Sequence, residues 1–187
     1  MTAKIERVTT AVVTLEGVEV RLDWPAPAAT GELRLRAALV DAPDLGYHFQ
    51  SLEWRCPLLR DGQGGWQCDG ELRAPGGKPF RLSVALASGS TDAALSQGDA
   101  RFALHRSAAT PDDTLLDLTR VPVAWAQALS SQAWSDGRLT AGTLDGRLAV
   151  RTPSNRPLRV DGTLKLAGGA LETPDGSIAA AQLGGRF

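Results

Sequence analysis

The sequence is poor in the residues that most often carry chemistry. Its 187 residues include two cysteines, two histidines, one tyrosine and one methionine, and aromatic residues make up 5% of the chain. Two histidines far apart in sequence, His48 and His105, match no zinc-ligand spacing with the cysteines. There is no Gly-x-Ser-x-Gly elbow, no His-Glu-x-x-His and no phosphate loop ending in Gly-Lys-Ser/Thr. The expectation is a non-enzymatic protein that holds no cofactor and no metal. Charge of one sign is lacking too: 20 basic residues stand against 21 acidic ones, without a basic block of the kind that marks nucleic-acid binding. No run approaches the ~20 apolar residues of a membrane-spanning helix. The start, Met1-Thr-Ala-Lys-Ile-Glu-Arg, has no apolar signal-peptide core. Phe187 invites comparison with outer-membrane barrels, but the scarcity of aromatics leaves no material for their interfacial girdles.

What is abundant is a phrase: a glycine followed by alternating apolar and polar residues. It occurs at Gly31-Glu-Leu-Arg-Leu-Arg, Gly70-Glu-Leu-Arg, Gly146-Arg-Leu-Ala-Val-Arg and Gly162-Thr-Leu-Lys-Leu. Period-two alternation puts leucines on one face of a strand and charges on the other. With 43% hydrophobic residues, the chain has enough apolar material to fold. The expected fold is all-β: a long curved antiparallel sheet, a half-pipe, of about a dozen short strands with one short α-helix.

Strands are expected over about 4–15 and on to Trp24, then 31–39, 47–56, 66–72, 80–87, 92–95, 101–105 and 115–121. After the helix they resume at 138–141, 143–150, 158–166, 169–173 and from 177 on. Gly76-Gly77 and Gly168-Gly169 read as tight turns. The helix is expected over about 122–134, opened by Pro122, with Trp125, Leu129 and Ala133 on one face and Asp136-Gly137 as the stop. Trp125 and Trp134 would dock it on the sheet. Both ends of the chain stop inside strand-like patterns, and the reading is a single segment, 1–187, of a longer protein.

Parity assigns the faces. Val18, Val20 and Leu22 share one side, with Leu33 and Leu35 on the next strand. Leu52 and Leu72 flank the cysteine hairpin, followed by Leu82 and Val84, then Phe102 and Leu104. Beyond the helix come Leu148, Val150, Leu164 and Leu166. Arg21, Arg34, Arg55, Arg73, Arg81, Arg147 and Lys165 have the other parity and are assigned to the solvated face. Cys56 and Cys68 flank the turn Asp61-Gly-Gln-Gly-Gly65, and pairing them directly makes residue 62 the pivot, with Leu52 facing Leu72 and Trp54 facing Gly70. Residues so opposed are close enough for a disulfide, which points to an oxidising compartment.

The stretch Leu115-Leu-Asp-Leu-Thr-Arg-Val-Pro-Val-Ala-Trp, followed by Gly137-Arg-Leu-Thr-Ala-Gly-Thr-Leu-Asp-Gly-Arg-Leu-Ala-Val, resembles the AsmA-like envelope proteins. These are bridge-like lipid-transfer proteins built of repeating β-groove units, and the likeness is to their YdbH-type branch. Val160-Asp-Gly-Thr-Leu-Lys-Leu and the cysteine hairpin look similar to features of that group, and the likeness covers about 45–187. The resemblance implies an apolar groove carrying phospholipid acyl chains between inner and outer membranes, in the periplasm of a Gram-negative-type envelope. It also implies a membrane-anchored parent, and as partners either neighbouring β-groove segments of that parent or another envelope protein. The alternative expectation is a structural or docking protein similar to the type II secretion N subunit, using the same sheet for assembly.

Overall fold

The computed structural model describes residues 1–9, 13–25, 28–42, 47–125, 138–152, 159–173 and 179–186. The described residues form one unclosed antiparallel sheet in which spatial order follows chain order. Its first six strands are β1 (Thr2–Thr9), β2 (Thr14–Asp23), β3 (Thr30–Ala42), β4 (Tyr47–Arg60), β5 (Trp66–Arg73) and β6 (Phe80–Leu86). The remaining six are β7 (Ser90–Gln97), β8 (Ala100–Ser107), β9 (Asp113–Pro122), β10 (Arg138–Arg151), β11 (Arg159–Glu172) and β12 (Ala179–Arg186). Every connection joins adjacent antiparallel strands, which needs only short links rather than crossovers.

The strand boundaries depart from the sequence reading in four places. The stretch expected as one strand over 4–15 is a hairpin, β1 pairing β2 from Thr2↔Arg21 to Thr9↔Thr14. No glycine or proline marks that reversal, so alternation alone ran the two strands together. Pro122 ends β9 opposite Thr143 instead of opening a helix, a strand-end position where its missing N–H costs little. The described part of the expected helix, Val123–Trp125, is a 3-10 turn, and the remainder lies outside the described residues. Finally, 138–141 joins 143–150 in β10, and 158–166 joins 169–173 in β11.

This last difference has a backbone cause. Gly142 has φ +120° and Gly168 +62°, and both sit inside strands where the pairing shifts register. Glycine adopts these angles without steric penalty, so the strand kinks and continues rather than turning back. Arg120, at φ +45°, does the same in β9, where a register shift opposite Leu144 and Gly146 marks a bulge. Leu118 and Val121 then both stand on the apolar side, though they are three residues apart, because each is paired to a β10 residue of one parity (Gly146 and Leu144).

The β4–β5 hairpin also differs from expectation. Trp54 pairs with Leu72 and Leu58 with Cys68, so the pivot is residue 63, and the expected pairings shift by two residues. A shift of two preserves every face. The disulfide between Cys56 and Cys68 forms nonetheless, as a diagonal link with Cα atoms 5.4 Å apart. Gly70 lies where the directly opposed residue would be. A Cβ there would stand 1.8 Å from the Arg55 carbonyl oxygen and 2.6 Å from the Cys56 Cβ. Gly70→Ala is therefore expected to lower unfolding stability by roughly 2–4 kcal/mol. Urea denaturation checks this, and an unchanged midpoint would contradict the close approach.

The charged face is laced across strands. Arg36 pairs with Glu53 at 3.3 Å, Arg81 with Asp69 at 2.8 Å, and Arg147 with Asp117 and Arg151 with Asp113 at 2.6 Å. Glu53 is held below its ordinary value of 4.5, first by the hydrogen bond from Arg55 and further by the charge of Arg36, while partial burial acts in the opposite direction. A lowered folded pKa contributes stability above the unfolded value and loses it as pH falls through the folded one. Glu53→Gln should therefore cost up to about 1 kcal/mol at pH 7, and the difference from wild type should vanish in acid below the ordinary glutamate range. Urea midpoints measured from pH 7 down to pH 3 test the sign, and a gap that widens in acid would contradict it.

Candidate functional site: the apolar face of the sheet

Following the pairings across the sheet resolves its apolar side into rows. One row runs Leu58, Cys68, Val84, Ala93 and continues Leu104, Leu116, Leu148, Gly162. The adjacent row carries Gly70, Leu82, Leu95 and Phe102, then Leu118, Gly146 and Leu164. On the first strands Val20 pairs with Leu35 and Leu22 with Leu33. Leu33 in turn opposes Cys56, and Leu35 opposes Trp54. Because cross-strand partners share a face, these pairings put Val18, Val20, Leu22, Leu33, Leu35, Leu52, Leu72, Leu82 and Val84 on one side. Phe102, Leu104, Leu148, Val150, Leu164 and Leu166 stand on the same side, Val150 opposite Thr114 and Leu166 opposite Leu144.

Several residues of this face were not singled out in the sequence: Leu95, Leu116, Leu118 and Leu144 belong to it. Trp54 shares it with Leu52 and Cys56, as alternation along that strand places it. In Leu115-Leu116-Asp117-Leu118 both parities carry leucine, so alternation does not choose between them. Pairing does: Leu115 opposes His105 on the charged side and is 41% exposed.

Among the described residues nothing covers this face. Strands pack chiefly on their sequence neighbours, and the described residues contain no second layer. Among the described residues full burial is confined to scattered positions such as Val18, Ala37, Val123 and the two cysteines, and no polar residue is buried. The leucines of the rows are half-buried. A two-layer domain would cover such a sheet with helices or a second sheet.

Aromatic rings reach across strands on this side. Trp24, just beyond β2, meets Trp66 of β5 edge-on with centroids 5.5 Å apart, and Phe80 of β6 meets Trp125, beyond β9, at 5.3 Å. Each pair bridges three strand steps, which on a flat sheet span ~14 Å. Contacts that close over such a span belong on the concave side. Trp125 makes its contact from the 3-10 turn rather than from a helix, and Trp134 lies outside the described residues. The Trp54 indole N–H donates to the Leu82 carbonyl at 3.3 Å, passing over the strand that carries Gly70.

The histidines stand elsewhere. His105 Nδ1 is 2.6 Å from Asp92 and His48 Nδ1 3.3 Å from Asp41, both on exposed side chains. Among the described residues no group of three or more His, Cys, Asp or Glu side chains is placed to hold a metal. No helix among them is long and apolar enough to cross a membrane. No family model, curated protein or solved structure matches the chain.

Proposed function

We propose that the protein binds lipid, its apolar face holding phospholipid acyl chains as a segment of a periplasmic lipid-transfer groove between inner and outer membranes. The observation that carries this reading is the continuous set of half-buried leucine and valine rows, with no protein layer over them among the described residues. Acyl chains match such a surface because they need apolar area and ask for no hydrogen bonds in its middle. The Cys56–Cys68 disulfide supports an oxidising compartment, since thiols are kept reduced in the cytosol. The likeness to AsmA-like proteins of the YdbH type agrees with both points.

A second reading is favoured by the two sheet edges. Among the described residues β1 and β12 are each paired on one side only, which leaves rows of N–H and C=O groups able to accept another strand. Neighbouring β-groove segments or an envelope partner could extend the sheet there, and in the type II secretion N subunit-like reading this assembly is the function itself. Native mass spectrometry of protein expressed in an oxidising compartment separates the two. Retained phospholipid masses are expected. A lipid-free mass together with capture of a protein on the edges would favour assembly instead.

A further inference from the structure

The apolar rows end in a row of different chemistry. The pairings Arg60↔Trp66, Trp66↔Leu86, Leu86↔Thr91 and Thr91↔Arg106 place two arginines at the strand ends on the apolar side. The Arg60 guanidinium carbon lies 5.3 Å from the Trp66 ring centroid, and Trp66 is in turn held by Trp24. Arg106 is fixed through its Nε, which donates to the Pro111 carbonyl at 2.6 Å. Among the described residues neither guanidinium forms an ion pair, unlike Arg81, Arg147 and Arg151 on the charged face. The adjacent carboxylate, Asp61, is turned into its own loop, where it accepts the N–H groups of Gln63 at 2.9 Å and Gly65 at 2.7 Å. Beside Arg60 opens a recess of ≈ 470 Å³ lined by Trp24, Ala28, Ala29, Arg60 and the turn residues Asp61, Gly62 and Gly64.

A planar cation stacked on an aromatic ring, with no anion of its own and a hydrocarbon surface beside it, suits an anion that carries a tail. We propose that this recess receives the phosphate headgroup of a bound amphiphile: Arg60 pairs with the phosphate, Arg106 adds positive charge farther along the same end of the sheet, and the chain lies over the row of Leu58 and Cys68 and on toward the next. The assignment rests on the acyl-chain reading above and adds to it a direction, headgroup at this end of the strands and tail toward the middle of the sheet.

Binding of dodecyl phosphate and dodecyl maltoside, two probes with one chain and different heads, tests it by titration calorimetry below their micellar concentrations. Dodecyl phosphate should bind roughly tenfold more tightly at low salt, and the preference should shrink as salt screens the exposed arginines. Arg60→Gln should bring dodecyl phosphate down to the level of dodecyl maltoside. Arg21→Gln removes a charge from the opposite face and should leave the preference intact. Equal affinities in the wild type, or a preference that survives Arg60→Gln, would overturn the headgroup site while leaving the groove standing. Inorganic phosphate binding as tightly as dodecyl phosphate would overturn the assignment to an amphiphile. If neither amphiphile binds, the groove reading fails and takes this proposal with it.

Discussion

Val84→Asp and Leu148→Arg are expected to reduce retained lipid at least about tenfold while leaving the protein folded. Both positions lie in the row from Leu58 to Gly162, Val84 between Cys68 and Ala93, Leu148 between Leu116 and Gly162. A charge there meets an acyl chain with no counter-ion, and burying it unpaired costs several kcal/mol. In the lipid-free protein the same side chain is half-exposed and can be hydrated, so the fold should tolerate it. Arg73→Ala on the charged side, where Arg73 is paired with Glu71, is the matched control and should retain lipid as the wild type does. Lipid quantified by mass spectrometry per mole of folded protein is the readout. Normal retention in both groove variants would shift the working surface from the face to the edges.

Removing the disulfide is expected to cost a large share of the protein's stability. The bond links residues 12 apart in sequence. A loop of that length should contribute about 3 kcal/mol by constraining the unfolded chain. Among the described residues no second layer covers the sheet and full burial is confined to scattered positions, so little other burial offsets the loss. The Cys56→Ala, Cys68→Ala double variant should show this loss in urea denaturation, and reductant should produce it in the wild type but not in the variant. A wild type insensitive to reductant would contradict the structural role given to the bond.

Much of the fold was legible because alternation is a local signal with a direct geometric meaning. Leu33 and Leu35, Leu82 and Val84, and Leu148 and Val150 take their faces from parity alone, and pairing keeps them together. What parity does not carry is the count of residues between strands and the interruptions within them. The cysteine pair set the hairpin register by assuming direct opposition, and the diagonal geometry of the link moved it by two. Gly168 read as part of a turn and Gly142 as a gap between two strands, because glycine serves turns and kinks alike and only the neighbouring strand decides which. Trp125 and Pro122 read as helical by spacing, yet the pairing of Pro122 with Thr143 extends the strand to that point. Arg60 and Arg106 escaped notice for a related reason. A charged residue at an apolar-parity position near a strand end looks like the end of the pattern, and only register puts the two in one row.

The claim that acyl chains lie on one named face is tested most directly by site-specific photocrosslinking in the envelope of expressing cells. A photoreactive phenylalanine analogue replaces Leu82 or Leu104 on the apolar face, or Arg81 or His105, their neighbours in sequence, on the charged face. The account predicts phospholipid adducts from the first pair and none from the second. Adducts of equal yield from both faces, or protein adducts alone from Leu82 and Leu104, would contradict it.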